Sequence, residues 1–247
     1  MMDITGQPML ARVYIRSMRS ATVDQTLVAT TSDAADDPIA EYCDFSGIPC
    51  MRGSQFDVLD RYYRAALQAK ADVVVRITAD CPVIDPVLID AVVKTVTSEQ
   101  FDFACNRLPP PWGRTYPIGL DTEVVPFWNL ERAFREAKEP QQREHVMPFF
   151  YEDVRLTSVN RRLETGVSPR GFKIALLHHT TDFGEYRWTV DTAEDLEFIR
   201  QVFSHFKGRD DFSWKEILDL VHDEPGLMEI NAGVKHKTLK DIDKRAL

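Results

Sequence analysis

Asp80 follows the apolar run VVVRITA (residues 73–79) and precedes Cys81 and Pro82. Proline cannot continue a hydrogen-bond ladder, so a strand predicted here stops, and its last carboxylate projects past the strand end. Asp191 stands in a similar place, after the strand-like Arg187-Trp188-Thr189-Val190 and before a predicted helix. In open α/β sheets, ligands bind outside the carboxyl ends of parallel strands. Two carboxylates there could share a Mg²⁺ ion, which takes one or two carboxylates, several waters and the phosphates of a nucleotide. Each residue also has a plainer reading. Asp191 and Glu194 have capping-box spacing, so Asp191 alone could be a helix cap. Asp80 alone could be a turn residue.

Other residues offer less. Arg52, Arg61 and Arg64 flank a helix start and its outer face, where arginines are ordinarily solvated. His145, beside Arg143 and Glu144, could serve as an acid or base, but a hydrogen-bonded structural role is the plainer reading. His178 and His179 end a predicted strand, and adjacent strand residues point to opposite faces, so they cannot easily share one ligand. The sequence contains no Gly-x-Ser-x-Gly, Walker loop or Gly-x-Gly-x-x-Gly, which removes support for serine-hydrolase chemistry and for the two commonest nucleotide loops. Cysteines 43, 50, 81 and 105 form no Cys-x-x-Cys and have no histidine at zinc spacing. They read as reduced thiols of a cytoplasmic protein.

The elements that must position these residues alternate between strand and helix. Helices are predicted over Met9–Met18, from Ser54 (with Ser54 and Asp57 as a capping box), over Pro86–Val96, Asn129–Ala137, Thr192–His205 and Trp214–Val221. Pro38 suits the first turn of a further helix. Strands are predicted over Thr26–Thr31, near Cys50–Met51, and over Asp72–Thr78, Phe101–Cys105, Leu120–Val125 and Lys173–Leu177. The run at 72–78 suits a central parallel strand buried on both faces. This alternation predicts an α/β domain with a largely parallel sheet. The Pro-rich stretch 107–116 is a loop, either a cover for a site or a rigid surface excursion.

The chain has 247 residues, 44% of them apolar, with 30 Lys and Arg against 39 Asp and Glu for a formal charge of −9. This composition excludes a disordered or collagen-like chain, and the acidic balance argues against a nucleic-acid partner. No run reaches the roughly 18 apolar residues of a membrane span, and no apolar stretch near Met1 reads as a secretory signal. No composition shift marks a second core, so residues 1–247 are expected to form one domain, with about 225–247 as a peripheral tail.

Seven segments then occur in order: DITGQPML, LVATTSDAADDPI, RGSQFDVLDRYYRAA, VVRITADCPVIDP, YPIGLDTEV, REHVMPFFY and RWTVDTAEDLEFI. Together, over residues 3–205, they resemble the cytidylyltransferases typified by spore coat polysaccharide biosynthesis protein F. Those are similar to CMP-KDO synthetase and acylneuraminate cytidylyltransferases. The resemblance implies a Rossmann-like α/β/α sandwich of the nucleotide-diphospho-sugar transferase type. It implies CTP as donor, a sugar or sugar acid as acceptor, and Mg²⁺ as cofactor. Asp80 in TADCP looks like the first metal aspartate and Asp191 in VDTAEDL like the second. Ala29 and Thr30 lie where such proteins approach the nucleotide, Arg52 looks like a residue near the base, and Asp121 in GLD looks like a residue on the sugar side. Related synthetases are often dimers. Two rival readings keep the fold: a glycosyltransferase using a nucleotide sugar, and a non-catalytic nucleotide-sugar binding protein.

The departure from the family is at the start. Members usually open with a strand and a loop rich in glycine and arginine, whereas MMDITG resembles the segment just after that loop. A start placed too late, or a true truncation, would each produce this. Either way, residues 1–247 are expected to lack a central strand and the donors that hold the triphosphate, and to be impaired in activity.

Overall fold

The computed structural model describes residues 1–99 and 101–234. A hairpin of β1 (Asp3–Ile4) and β2 (Gln7–Pro8) leads straight into α1 (Met9–Met18). Next come β3 (Val28–Thr31), α2 (Asp37–Ser46), β4 (Cys50–Gly53) and α3 (Val58–Ala69). β3 and β4 pair in parallel as a sheet of their own. Pro38 lies in the first turn of α2, as expected, and Gly47 ends that helix at φ 66°, a conformation glycine adopts without strain. Ser54 does not open α3. Its hydroxyl accepts the amides of Phe56 and Asp57, and Asp57 caps the helix by accepting the Asp60 amide at 2.9 Å. The turn that precedes the helix folds Arg61 inward onto the carbonyls of Ser54 and Gln55. Arg61 is therefore buried rather than solvated.

The rest of the chain builds the main sheet and its cover: β5 (Val73–Arg76), α4 (Pro86–Glu99), β6 (Phe103–Cys105), β7 (Glu123–Pro126), α5 (Phe127–Glu136), α6 (Pro140–His145), α7 (Pro148–Tyr151), β8 (Thr157–Asn160), β9 (Leu163–Val167), β10 (Lys173–Leu177), α8 (Ala193–His205) and α9 (Trp214–Asp223). The strand order is β5-β7-β6-β10-β9-β8. The largely parallel sheet expected from the sequence is not found. Within this sheet only β6 and β10 pair in parallel. The long connection 106–122 returns β7 antiparallel between β5 and β6, and the hairpin β8–β9, unforeseen in the sequence, extends the other side. Such neighbours need no helical crossover.

Side chains alternate cleanly through the sheet. Phe103, Val125 and Leu176 face one core with α3, α5 and α7. Ala104, Val124 and Ala175 face another with α1 and α4. The sheet is thus the middle layer of an α/β/α sandwich, as expected. β5 is covered on both faces, which accounts for its apolar run, yet it stands at the end of its sheet and, among the described residues, pairs only with β7. A third core gathers α8 and α9 around Trp188.

α1 carries two arginines that apolar spacing did not reveal. Arg12 donates to the carbonyls of Ile4, Thr5 and Gly208 and pairs with Asp210. Arg16, fully buried, donates to carbonyls of Val83, Ile84, Asp210 and Phe212. Burial lowers the Arg16 pKa to about 10. The peripheral tail expected from about residue 225 does not begin there. A 3₁₀ turn at Pro225–Glu229 packs Leu227 and Met228 on the third core, and Asn231 is buried. Residues 235–247 of that expected tail lie outside the described residues. Among the described residues no helix is long and apolar enough to cross a membrane.

Candidate active site

After β5 the chain turns tightly, with the Cys81 amide on the Thr78 carbonyl at 3.2 Å and the Ile84 amide on the Cys81 carbonyl at 3.1 Å. This turn leaves the Asp80 side chain half-buried at the sheet edge. Segment 187–191 runs against it. The Val190 amide and the Thr189 hydroxyl both donate to the Asp80 carbonyl, at 2.9 and 3.0 Å. Asp80 and Asp191 are thereby brought together from positions far apart in the chain. Cys81 beside them is buried, and burial next to Asp80 and Asp121 pushes its thiol well above the usual range. It stays protonated and is no nucleophile.

Asp191 is not the cap of α8. Thr192 is, and its capping box is closed by Asp195. The box sits one residue later than the sequence spacing indicated, which leaves Asp191 just ahead of the cap. Its carboxylate accepts from Arg187 at 2.6 Å. The same guanidinium forks onto Asp195 with two bonds of 2.8 Å. Asp195 is fully buried and also accepts the amides of Asp191 and Thr192 and the amide nitrogen of Asn231. Burial alone would raise this carboxyl, but the bonds from Arg187, Asn231 and the backbone outweigh it and hold the pKa below the usual range. Asn231 also donates to the Arg187 carbonyl at 2.9 Å. Asp191 is therefore aimed by a buried network rather than by loop conformation.

Asp121 arrives on a third segment. Ile118 bridges to Arg187, and the Trp188 amide donates to the Ile118 carbonyl at 2.8 Å. Gly119 makes this approach possible. At φ +100°, a Cβ there would lie 2.6 Å from the Trp188 carbonyl carbon and 2.7 Å from the Thr189 nitrogen. Buried Asn106 holds the loop from behind, donating to the Leu120 carbonyl and accepting the Thr122 amide. Asp121 itself is clasped by Arg114 through two bonds of 2.6 and 3.0 Å, with Arg107 at 3.9 Å. Arg107 and Arg114 are bridged, and Trp112 between them packs on the core and donates to the Val154 carbonyl at 3.1 Å. The Pro-rich loop is thus pinned at its base and its tip.

The other three predicted residues lie on the smaller sheet. Ala29 lines a cleft that reaches as far as Thr78 and Ala79, beside Asp80. The Thr30 hydroxyl donates to Asp36 at 2.9 Å. Arg52 donates to the carbonyls of Thr31 and Asp33, each at 2.8 Å, and pairs with Asp37. Its contacts shape the loop after β3. Asp80, Asp191 and Asp121 are therefore carried on segments bonded to one another, whereas of the other three Ala29 lines the cleft and Thr30 and Arg52 bond within the loop after β3. His178 approaches Glu164 at 3.4 Å while the His179 ring packs on Tyr116, Phe183 and Trp214, so the two histidines do diverge.

Among the described residues no group of three or more His, Cys, Asp or Glu could hold a metal alone. Two carboxylates at a sheet edge nonetheless suit Mg²⁺, which keeps waters and takes substrate phosphates as its remaining ligands. Arg187, Asp195, Asn231, Arg114 and Gly119 were missed in the sequence. The Arg187–Asp191 spacing of four residues was the one local signal. The Arg114–Asp121 clasp and the Asn231 contacts depend on chain folding that no spacing reveals.

The fold is a layered α/β fold of the nucleotide-diphospho-sugar transferase type. The sequence matches the cytidylyltransferase family over residues 1–216, and the chain belongs to that family. An uncharacterised protein of Methanocaldococcus jannaschii is 32% identical over 235 residues, covering 93% of this chain and 86% of that protein. The spore coat polysaccharide biosynthesis protein SpsF of Bacillus subtilis is 28% identical over 203 residues, covering 82% of this chain and 76% of that protein. Among solved structures, a cytidylyltransferase from Leptospira borgpetersenii superposes with TM-score 0.78 at 27% identity, covering 93% of this chain and 89% of that one. A CMP:2-keto-3-deoxy-manno-octonic acid synthetase complexed with CTP shares the fold, with TM-score 0.58 at 16% identity, covering 83% and 91%.

Proposed function

We propose that this cytidylyltransferase transfers CMP from CTP to a sugar acid, with Mg²⁺, in the cytoplasmic supply of a surface polysaccharide. The observation that carries the reading is the pair of hydrogen bonds from the Thr189 hydroxyl and the Val190 amide to the Asp80 carbonyl, which ties the Asp80 turn to the segment that ends at Asp191. The spore coat and octonic acid synthetase relatives support the polysaccharide and the acidic acceptor.

In the reaction a sugar hydroxyl oxygen bonds to the α-phosphorus of CTP. The bond from that phosphorus to the bridging oxygen breaks, pyrophosphate leaves, and the hydroxyl proton passes to solvent. Little covalent chemistry is asked of the protein, so positioning and charge neutralisation dominate. Asp80 and Asp191 would hold Mg²⁺, which supplies neutralisation of the triphosphate. Arg187, through Asp195 and Asn231, holds the Asp191 carboxylate in place. Asp121, steadied by Arg114, forms the wall for the acceptor, while Ala29, Thr30 and Arg52 border the nucleotide.

Pyrophosphate release from CTP with a panel of sugar acids tests the reading. Release that needs Mg²⁺ supports it. Transfer from a nucleotide sugar without pyrophosphate would replace it with glycosyl transfer. The split between β3 and β5 favours a second reading for residues 1–247 alone, namely ligand binding with little turnover. Substantial CMP-sugar formation by residues 1–247 would overturn that one.

A further inference from the structure

β5 and β7 are joined by opposed pairs: Val73 with Pro126, Val74 with Val125, Val75 with Val124 and Arg76 with Glu123. The last pair carries the only charges of this ladder, at the end nearest Asp80 and Asp121. Arg76 donates to Glu123 at 2.6 Å, and the two side chains are 17% and 10% exposed. The Tyr62 ring lies 5.8 Å from the guanidinium carbon. Beyond this pair the chain leaves β5 for the Asp80 turn, and on the other strand it has just left the Asp121 loop.

As a source of stability the pair is poorly made. Arg76 offers one nitrogen, and its Nε is buried with no hydrogen-bond partner among the described residues. Arg187, by contrast, grips Asp195 with two nitrogens. A buried ion pair repays its desolvation only when its geometry is excellent and its remaining donors are satisfied; apolar residues of similar size often do as well or better. A fourth apolar pair would simply extend the valine ladder. What valines cannot supply is register. Sliding one strand past the other by two residues keeps every side chain on its own face. In one direction Val75 then meets Pro126 and in the other Thr122, with little to oppose either. The charges do oppose it. One slip sets Arg76 against Val125 and the other sets Glu123 against Val74, so each buries a charge without its partner. A single polar contact among apolar ones is the best-attested means of fixing register.

We infer that Arg76 and Glu123 are a positioning pair, which locks β5 and β7 in one register and so sets the distance between Asp80 and Asp121. A slip of two residues displaces one strand by roughly 7 Å, whereas transfer requires reacting atoms about 3–3.5 Å apart. A slipped sheet therefore cannot bring an acceptor held at Asp121 to a phosphate held at Asp80. β5 depends on this lock more than an inner strand does, because among the described residues β7 is its one partner. The lock stands without the catalytic reading; its consequence for transfer rests on the proposed roles of Asp80 and Asp121.

Methyl NMR and kinetics on the parent, on Arg76→Met/Glu123→Leu and on Arg76→Lys test the inference. In the parent, the methyls of Val74 and Val125, and those of Val75 and Val124, should each give one cross-strand nuclear Overhauser contact. The apolar variant loses the desolvation cost together with the lock. Its folding constant should stay within about tenfold of the parent's, while its valine methyls split into several sets with weaker contacts. Its kcat for pyrophosphate release from CTP with a sugar acid should fall about tenfold or more, with the KM for CTP within about twofold. Arg76→Lys keeps the charge, and it should keep the single set of methyl signals and most of the turnover. One parent-like set of methyl signals in the apolar variant would overturn the inference, as would an Arg76→Lys protein as heterogeneous as the apolar one. Spread register with undiminished turnover would leave the lock and overturn its link to transfer. A parent that releases no pyrophosphate would count against the catalytic reading, and the methyl contacts would still decide the lock.

Discussion

Replacing Arg187 with methionine removes the cation shared by Asp191 and Asp195 while keeping an unbranched apolar side chain. The Arg187 side chain is 7% exposed and that of Asp195 is 0%, so the pair is buried, and losing one partner strands a charge. Removing one member of such a pair costs about 3–5 kcal/mol, which lowers the folding constant by roughly two to three and a half powers of ten. The pH dependence has a definite sign. In the parent, the Asp195 carboxyl is held below its ordinary value of 3.8. Its stabilisation is therefore complete above that value and is lost as pH falls through the folded-state pKa. Without Arg187, burial acts on Asp195 with less opposition, so its folded-state pKa rises above the parent's. The variant then recovers part of its deficit once the carboxyl takes up a proton. Urea unfolding of parent and Arg187→Met should show the widest gap at pH 7 and a narrower one near pH 4. A loss below about 1 kcal/mol at pH 7, or a gap that does not narrow in acid, would refute the reasoning that this network is a buried, charge-balanced support for Asp191.

Three further outcomes are expected. Gly119→Ala combines a positive φ with a Cβ 2.6 Å from the Trp188 backbone, so it should cost at least about 2 kcal/mol in urea unfolding; a loss within 0.5 kcal/mol, roughly the range of an ordinary surface change, would show that the two segments part easily. Thr192→Ala should cost about 1 kcal/mol by loss of the α8 cap, whereas Glu194→Ala should cost less; the reverse order would return the cap to Asp191. Arg114→Lys keeps a charge but not the two-pronged grip on Asp121, and it should raise the KM for the sugar acid far more than the KM for CTP; equal effects on both would remove Asp121 from the acceptor side.

Much of the fold was legible because it depends on local patterns. α1 and β10 fall at the residues that apolar spacing marked, and Asp80 was recognisable because Pro82 marks the turn after β5, although the strand itself stops earlier, at Arg76. The direction of β7 was not legible. Glu-Val-Val-Pro reads the same whether it runs up or down a sheet, and the loop 106–122 decides which. The cap of α8 was misplaced by one residue because Asp191/Glu194 and Thr192/Asp195 carry the same spacing. The buried partner Arg187, not propensity, selects the second. Asn231 and Arg16 were invisible for a related reason. Both bond to segments distant in sequence, and a polar residue shows no sign in the sequence of the carbonyls that will enclose it.

The central claim is that Asp80 and Asp191 act together on one metal–nucleotide complex. It is tested most directly by Mg²⁺-dependent pyrophosphate release from CTP with sugar acids, using the polypeptide that includes any in-frame residues encoded ahead of Met1. The parent should release pyrophosphate only when Mg²⁺ and an acceptor are both present. Asp80→Ala and Asp191→Ala should each abolish release, and the double variant should be no worse than either alone. Release that survives in either single variant, or that proceeds undiminished with Mg²⁺ chelated, would contradict the account.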